Sequence, residues 1–253
     1  MNDREKKENY MTKDTENIIV VKNLMKKFGS FVANDNLTFE VRKGEIFGFL
    51  GANGAGKTTA IKILSGLSFP TSGDVMVAGY DVYKERELVK KNIGYMSQKF
   101  SLYEDLTVRE NIRFYGGIYG LSSKYIKEKT EDLLERLKMK DIQNSLISSL
   151  PLGWKQKIAF SVAIFHDPKI VFLDEPTGGV DPITRRDFWE MIYEASNAGI
   201  TVFVTTHYMD EAEYCDRVSI MDKGRIEGMD TPGELKRQFD AQNMDEVFLK
   251  IAR

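Results

Sequence analysis

The chain has 253 residues, of which 42% are hydrophobic, 29% charged and 11% aromatic, so it is long enough to bury a sizeable core as one large α/β domain or two small ones. Its 36 Lys and Arg nearly balance its 38 Asp and Glu, which excludes the basic excess of a protein that holds nucleic acid through phosphates. The single cysteine, Cys215, excludes an internal disulfide and reads as a small buried hydrophobe, and the longest apolar runs, residues 170–173 and 200–204, are far too short to cross a bilayer.

Residues 1–16 are dense in charge without an apolar stretch, which predicts a flexible tail rather than a signal peptide. Strands are predicted at 18–21, 37–41 and 46–50, separated by turn signals at 26–29 and 42–44. A helix over 57–67 follows Gly56, then a strand at 72–77 and the end of another before Gln98. From Thr107 to about Ala163 the pattern is helical. Thr107 and Glu110 form a capping box, and Ile126, Leu133, Leu134 and Leu137 share one helical face. Strands return at 170–173, 201–206 and 218–221. This alternation predicts an α/β domain on a mostly parallel sheet, with a helical lobe inserted at about 99–163. Two crossover helices of the same sheet are the plainer alternative, for which the stretch is too long.

Gly51, Ala52, Asn53, Gly54, Ala55, Gly56, Lys57 and Thr58 fit the phosphate-loop pattern G-x-x-x-x-G-K-[ST], after a predicted strand and at the start of a helix. Such a loop turns backbone N–H groups and a helix N-terminus toward a β-phosphate. Lys57 would neutralise the β- and γ-phosphates, and the Thr58 hydroxyl would hold Mg²⁺. At average composition the pattern arises by chance in about one chain in a hundred of this length.

Residues 169–173 form an apolar run that ends in Asp174 and Glu175, at the strand end where ligands sit in parallel sheets. Asp174 is placed to hold Mg²⁺, and Glu175 to polarise a water aimed at the γ-phosphate. His207 ends the strand 201–206 at the same sheet edge, where an imidazole could sense that phosphate. His166, on a helix near Asp167 and Pro168, is read as structural.

In this order, phosphate loop, Gln98, helical lobe, Asp174-Glu175, Asp181 and His207, the chain resembles the ATP-binding-cassette ATPases from residue 18 to 253. The resemblance implies a P-loop fold with an added antiparallel β subdomain, as one ATP-binding domain over 17–253. It implies ATP as substrate and Mg²⁺ at Thr58, Gln98 and Asp174, with Gln98 relaying nucleotide state to the helical lobe and Thr59 beside the phosphates. Asp181 would communicate across a dimer, and it also suits a helix N-cap ahead of Pro182. Phe28 is similar to the aromatic that stacks on adenine; Phe31 is a second candidate, and core packing an alternative for Phe28.

The family signature Leu-Ser-Gly-Gly-Gln, which caps the partner subunit's γ-phosphate, is replaced here by Leu150, Pro151, Leu152, Gly153 and Trp154. Pro151 offers neither hydroxyl nor N–H, and loss of one transition-state donor costs on the order of a hundredfold in rate. Proline nevertheless suits a first helical turn, and N–H groups from Gly153 onward remain available. Trp154 is read as packing. The variant resembles one found in bacterial drug-export ATPases. It therefore implies an ATPase subunit at the inner face of the cell membrane, acting on a separate transmembrane permease, as a homodimer or with a sister ATPase, without nucleic acid. Phe100, Leu102 and Tyr103 either line the groove for that permease or belong to the lobe's core. The alternatives are a soluble ATPase of the same superfamily and an ATP-gated regulatory subunit that scarcely hydrolyses. No Asn-Lys-x-Asp element for guanine is present.

Overall fold

The computed structural model describes residues 17–98 and 102–251. The tail expected over 1–16, and Phe100 and Arg253, lie outside the described residues. Strands β1 (Asn17–Phe28) and β2 (Phe31–Arg42) form a hairpin, followed by β3 (Ile46–Gly51) and helix α1 (Lys57–Leu64). Next come β4 (Ser72–Val77), β5 (Tyr80–Asp81), α2 (Arg86–Asn92) and β6 (Ile93–Met96). The helical stretch holds α3 (Val108–Ile118), α4 (Ser123–Arg136) and α5 (Leu152–Ala163), and β7 (Ile170–Asp174) closes it. The chain continues through α6 (Pro182–Asn197), β8 (Thr201–Thr206), β9 (Arg217–Asp222), β10 (Arg225–Asp230), α7 (Pro232–Gln238) and α8 (Met244–Ile251).

One sheet has the order β2-β1-β4-β5 and is antiparallel; the other runs β10-β9-β3-β8-β7-β6 and is parallel except at β10. Strands β3, β7 and β8 are buried along their whole length, which is why they read as apolar runs without alternation. Between the two sheets lie Phe39, Phe47, Phe49 and Phe203, with Phe49 and Phe203 centroids 5.2 Å apart. Burying rings of this size contributes roughly 1.5–3 kcal/mol each. The other face of the parallel sheet is covered by α5 and α6 through Phe160, Phe188, Trp189 and Ile192, and α3 and α4 continue the same core outward.

The hairpin strands extend well beyond 18–21 and 37–41. Register shifts between Val21 and Leu24 and between Lys26 and Lys27 interrupt the period-two alternation, so no simple pattern marks the full strands. The turn is Gly29–Ser30 rather than 26–29. Helix α1 stops at Leu64 instead of 67 because Gly66, at φ +69°, reverses the chain. The expected capping box is present: Glu110 N donates to Thr107 Oγ1 at 3.2 Å and Thr107 N to Glu110 Oε2 at 2.8 Å. His166 sits in the turn after α5, not on a helix. Its ring stacks on Tyr119 at 3.5 Å, and burial lowers its pKa to about 4, so it stays neutral and structural. Cys215 is buried, and burial raises its pKa well above the usual thiol value.

Candidate active site

The C-terminal ends of β3, β8, β7 and β6 lie side by side and carry the phosphate loop, His207, Asp174–Glu175 and Gln98 in that order. The loop is held from behind. Gly56 adopts φ +103°, and a Cβ there would lie 2.3 Å from Ala33 O and 2.8 Å from Asn34 Nδ2, so only glycine fits. Asn34, fully buried in β2, donates Nδ2 to Gly56 O at 3.1 Å. It is a supporting residue that the sequence pattern did not single out.

Lys57 is buried and donates Nζ to Gly51 O at 2.7 Å and Ala52 O at 3.1 Å, with Glu175 Oε1 at 3.5 Å. Desolvation lowers its pKa, partly opposed by Glu175 and Asp174. Asp174 is buried and accepts from Thr205 Oγ1 at 2.8 Å and Thr58 Oγ1 at 3.3 Å; desolvation raises its pKa despite those hydrogen bonds. The lone Thr205 hydroxyl also accepts from Glu175 N at 3.0 Å, so a polar side chain inside an apolar strand orients both acids. That intrusion of threonines into β8 was the available sequence signal.

Glu175 departs from the strand with φ +51°, a conformation costly for a non-glycine residue and concentrated at functional sites. Its Oε2 accepts from Gln98 Nε2 at 3.0 Å and lies 3.0 Å from His207 Nδ1. Thus Gln98, His207 and Lys57, drawn from three separate segments, converge on one carboxylate. The donors Thr58 Oγ1 and Asp174 Oδ1 meet as a hydroxyl and a carboxylate would around Mg²⁺, a hard cation that keeps much of its shell for water and phosphate. Among the described residues no group of three or more His, Cys, Asp or Glu side chains could hold a metal by itself. The residues therefore fit a cation shared with a nucleotide rather than a closed protein cage.

A cleft of about 430 Å³ in front of the loop is lined by Asn53, Gly54, Gly56, Lys57, Thr58, Thr59, Gln98, Glu175, Ala33 and Phe31. Phe28 is not among its walls. It faces Phe31 across the hairpin end and carries Lys26 Nζ 4.8 Å from its ring centroid. Of the two aromatic candidates, Phe31 is the one beside the loop.

In the signature segment Leu150 precedes Pro151, which is the N-cap of α5 rather than its first helical residue. Trp154 N and Lys155 N donate back to Pro151 O at 3.1 and 3.2 Å, so these two amides face the chain itself and not a ligand as expected. Trp154 is exposed instead of packed. It lies in the first turn of α5, 37% exposed, ahead of the stretch Ile158–Ala163 in which every residue is buried. Asp181 caps α6 ahead of Pro182, accepting from Ile183 N and Thr184 N at 3.0 Å and from Thr184 Oγ1 at 2.6 Å. The Thr184 bonds hold its carboxyl below the usual range.

Glu211 went unread in the sequence. It is fully buried, accepts from Thr177 Oγ1 at 2.6 Å, and stands 3.6 Å from Arg185 Nε. Arg185 in turn lies 4.2 Å over the Tyr208 ring. Buried polar pairing of this kind fixes the loop after Glu175 against the segment after His207. In the helical stretch Leu102 packs into the core, while Tyr103 is exposed and meets Phe114 edge to face at 4.8 Å. The fully buried Asn111 pins Tyr103 from both sides, accepting from its N–H at 2.8 Å and donating to its carbonyl at 3.0 Å. Among the described residues no helix is long and apolar enough to cross a membrane.

Comparison with known proteins agrees with this geometry. Residues 34–178 match the family described as ABC transporter. The chain is 46% identical over 241 residues to the probable multidrug ABC transporter ATP-binding protein YbhF of Escherichia coli, covering 93% of this chain and 42% of that protein, so it spans less than half of that relative. It is 36% identical over 245 residues to the linearmycin resistance ATP-binding protein LnrL of Bacillus subtilis, covering 93% and 79%. Among solved structures it resembles the ATP-binding cassette MJ0796, a dimer in a post-hydrolysis state bound to ADP and Pi, with TM-score 0.76 and 25% identity over 84% of this chain and 98% of that one. The chain belongs to the ABC transporter family and carries its ATP-binding domain.

Proposed function

We propose that this chain binds MgATP in the cleft before Lys57 and hydrolyses it, supplying the ATP-driven step of an exporter whose membrane-spanning part receives the motion. The observation that carries the reading is the convergence of Gln98, His207 and Lys57 on Glu175. A general base needs to be within hydrogen-bond reach of the water it activates, and to be held there. Gln98 and His207 hold Oε2, while Lys57, close to Oε1, is free to move to the phosphates when nucleotide enters. Bound Mg²⁺ would offset charge on the β- and γ-phosphates, with Thr58, Asp174 and Gln98 as its protein contacts.

The exposed apolar side chains Leu152, Trp154 and Ile183 support pairing of two such domains through this face, with the 150–154 segment of one against the nucleotide of the other. The names of the relatives, multidrug and linearmycin resistance, support export as the process served. Steady-state ATP hydrolysis across a wide protein concentration range tests the reading. Turnover that rises faster than linearly with protein is expected for a dimer that works despite Pro151. Strictly linear turnover would remove the dimer, and ATP binding without turnover in the whole transporter would remove the ATPase.

Phe31 is assigned to the adenine face because it borders the loop. Phe31→Ala is expected to raise the Kd for ATP by roughly tenfold, the value of about 1–1.5 kcal/mol of ring stacking, with Phe28→Ala nearly neutral. Isothermal titration decides between them, and the reverse order would return the role to Phe28. The Tyr103–Phe114 pair is assigned to the groove for a cytoplasmic helix of the membrane subunit. Tyr103→Ala should abolish co-purification of that subunit with ATP binding intact; unchanged co-purification would refute the assignment.

A further inference from the structure

The segment that departs from the family signature keeps one glycine, Gly153, and the fold gives it a packing task. A Cβ at Gly153 would lie 2.5 Å from Thr184 Cγ2, 3.3 Å from Thr184 Oγ1 and 3.5 Å from Thr184 Cβ. The first contact is closer than real Cβ atoms come, so the start of α5 approaches the start of α6 only because position 153 has no side chain. On its other side Thr184 donates its hydroxyl to Asp181 Oδ2 at 2.6 Å and its amide to Asp181 Oδ1 at 3.0 Å. A second tie runs parallel to this one. Gln156, buried one turn further along α5, donates Nε2 to Gly178 O at 3.3 Å, three residues after Glu175. Beyond Thr184, Arg185 stacks on Tyr208, the neighbour of His207.

We propose that Thr184 is a positioning residue that transmits the position of the α5 N-terminus to Asp181, and that Gly153 is required for its close approach to Thr184 rather than as a phosphate donor alone. The inference rests on the dimeric ATPase reading above. In that reading the start of α5 faces the partner's nucleotide, while Glu175 lines the chain's own cleft and Asp181 caps the helix that follows the loop after Glu175. The contact from Gly153 through Thr184 to Asp181 then joins one nucleotide to the other within a single chain. Because the start of α5 is packed on α6, it moves with the Asp181 loop as one body and not independently. This also accounts for a signature that has lost its hydroxyl and one glycine, yet keeps the glycine that touches Thr184.

The test uses the full chain as Gly153→Ala, as Gly153→Ala with Thr184→Ser, and as Thr184→Val. Thr184→Ser removes the methyl that an added Cβ would strike and retains the hydroxyl that holds Asp181. Gly153→Ala is expected to lower kcat for ATP by about tenfold or more, and the double variant to recover most of that loss. Thr184→Val keeps the shape and removes only the hydroxyl. It is expected to lower kcat about fivefold while KM for ATP and the unfolding midpoint remain those of the unaltered chain. Wild-type kcat in Gly153→Ala, or a loss that Thr184→Ser does not recover, overturns the packing role. Wild-type kcat in Thr184→Val overturns the link to Asp181, and that variant decides even where Gly153→Ala does not fold. An unaltered chain without turnover in the assembled transporter overturns the ATPase reading and this inference with it, which separates that failure from the other two.

Discussion

Glu175→Gln is expected to abolish ATP turnover, by about a hundredfold to ten-thousandfold, while ATP binding survives. Glutamine preserves the shape of the side chain and can still accept from Gln98, but it cannot take a proton from water. The loss should appear in kcat and not in the Kd for ATP. Binding is expected to hold or tighten, because the cleft sets two carboxylates, Asp174 and Glu175, against one buried cation, Lys57, and the change removes one negative charge facing the triphosphate. The trapped nucleotide should also let an ATP-dependent dimer accumulate, visible as a doubling of mass by light scattering. Turnover within a factor of a few of the unaltered chain would show that another group activates the water.

Lys57→Ala is expected to act on binding first. Lys57 is the buried cation of the cleft, and truncating one member of a buried, hydrogen-bonded charge pair costs about 2–5 kcal/mol, or roughly thirtyfold to several thousandfold in Kd. The substitution leaves Asp174 and Glu175 unopposed where phosphates must enter. Thermal unfolding gives a clean readout. At a nucleotide concentration a hundred times the Kd, ligand stabilises the folded chain by about 2.7 kcal/mol; with Kd raised a hundredfold, about 0.4 kcal/mol remains. For a chain of this size these amounts correspond to shifts of roughly 5–10 °C and about 1 °C. An undiminished ATP-induced shift in Lys57→Ala would mean that the phosphates are held by the loop amides and helix dipole alone.

The Glu175→Gln and Lys57→Ala variants also separate two duties that the free chain combines. The Lys57 ammonium is paired with Gly51 O, Ala52 O and Glu175. Nucleotide entry must exchange those partners for phosphate oxygens, which releases one oxygen of Glu175 while Gln98 and His207 keep the other. On the proposed reading the same side chain masks the base before binding and stabilises phosphate charge afterwards.

Much of this was legible from residue order. A fully buried parallel strand is largely apolar, so β3, β7 and β8 announced themselves, and a ligand-bearing strand end must then interrupt that run with a turn-forming or polar residue, as Gly51, Asp174–Glu175 and His207 do. The capping box at Thr107 and the cap at Asp181 were legible because they are closed within three residues. The irregular hairpin was not, since its register shifts remove the alternation on which strand reading depends. Trp154, read as packing, is left 37% exposed because it stands in the first turn of α5, ahead of the buried stretch.

What the sequence determined by itself is the family, through the order of its motifs along the chain, and the α/β architecture and the phosphate-loop pattern, because strand and loop signals rest on neighbouring residues whose spacing is fixed by backbone geometry. Only the tertiary structure decided which side chains meet across long separations: Gln98 and His207 on Glu175, Phe31 rather than Phe28 beside the loop, Asn34 behind Gly56, Glu211 under Thr177, and Gly153 against Thr184. Those contacts follow from the order in which parallel strands lie side by side and from how closely two helices approach, and strand order is set by packing of the whole chain rather than by any local pattern.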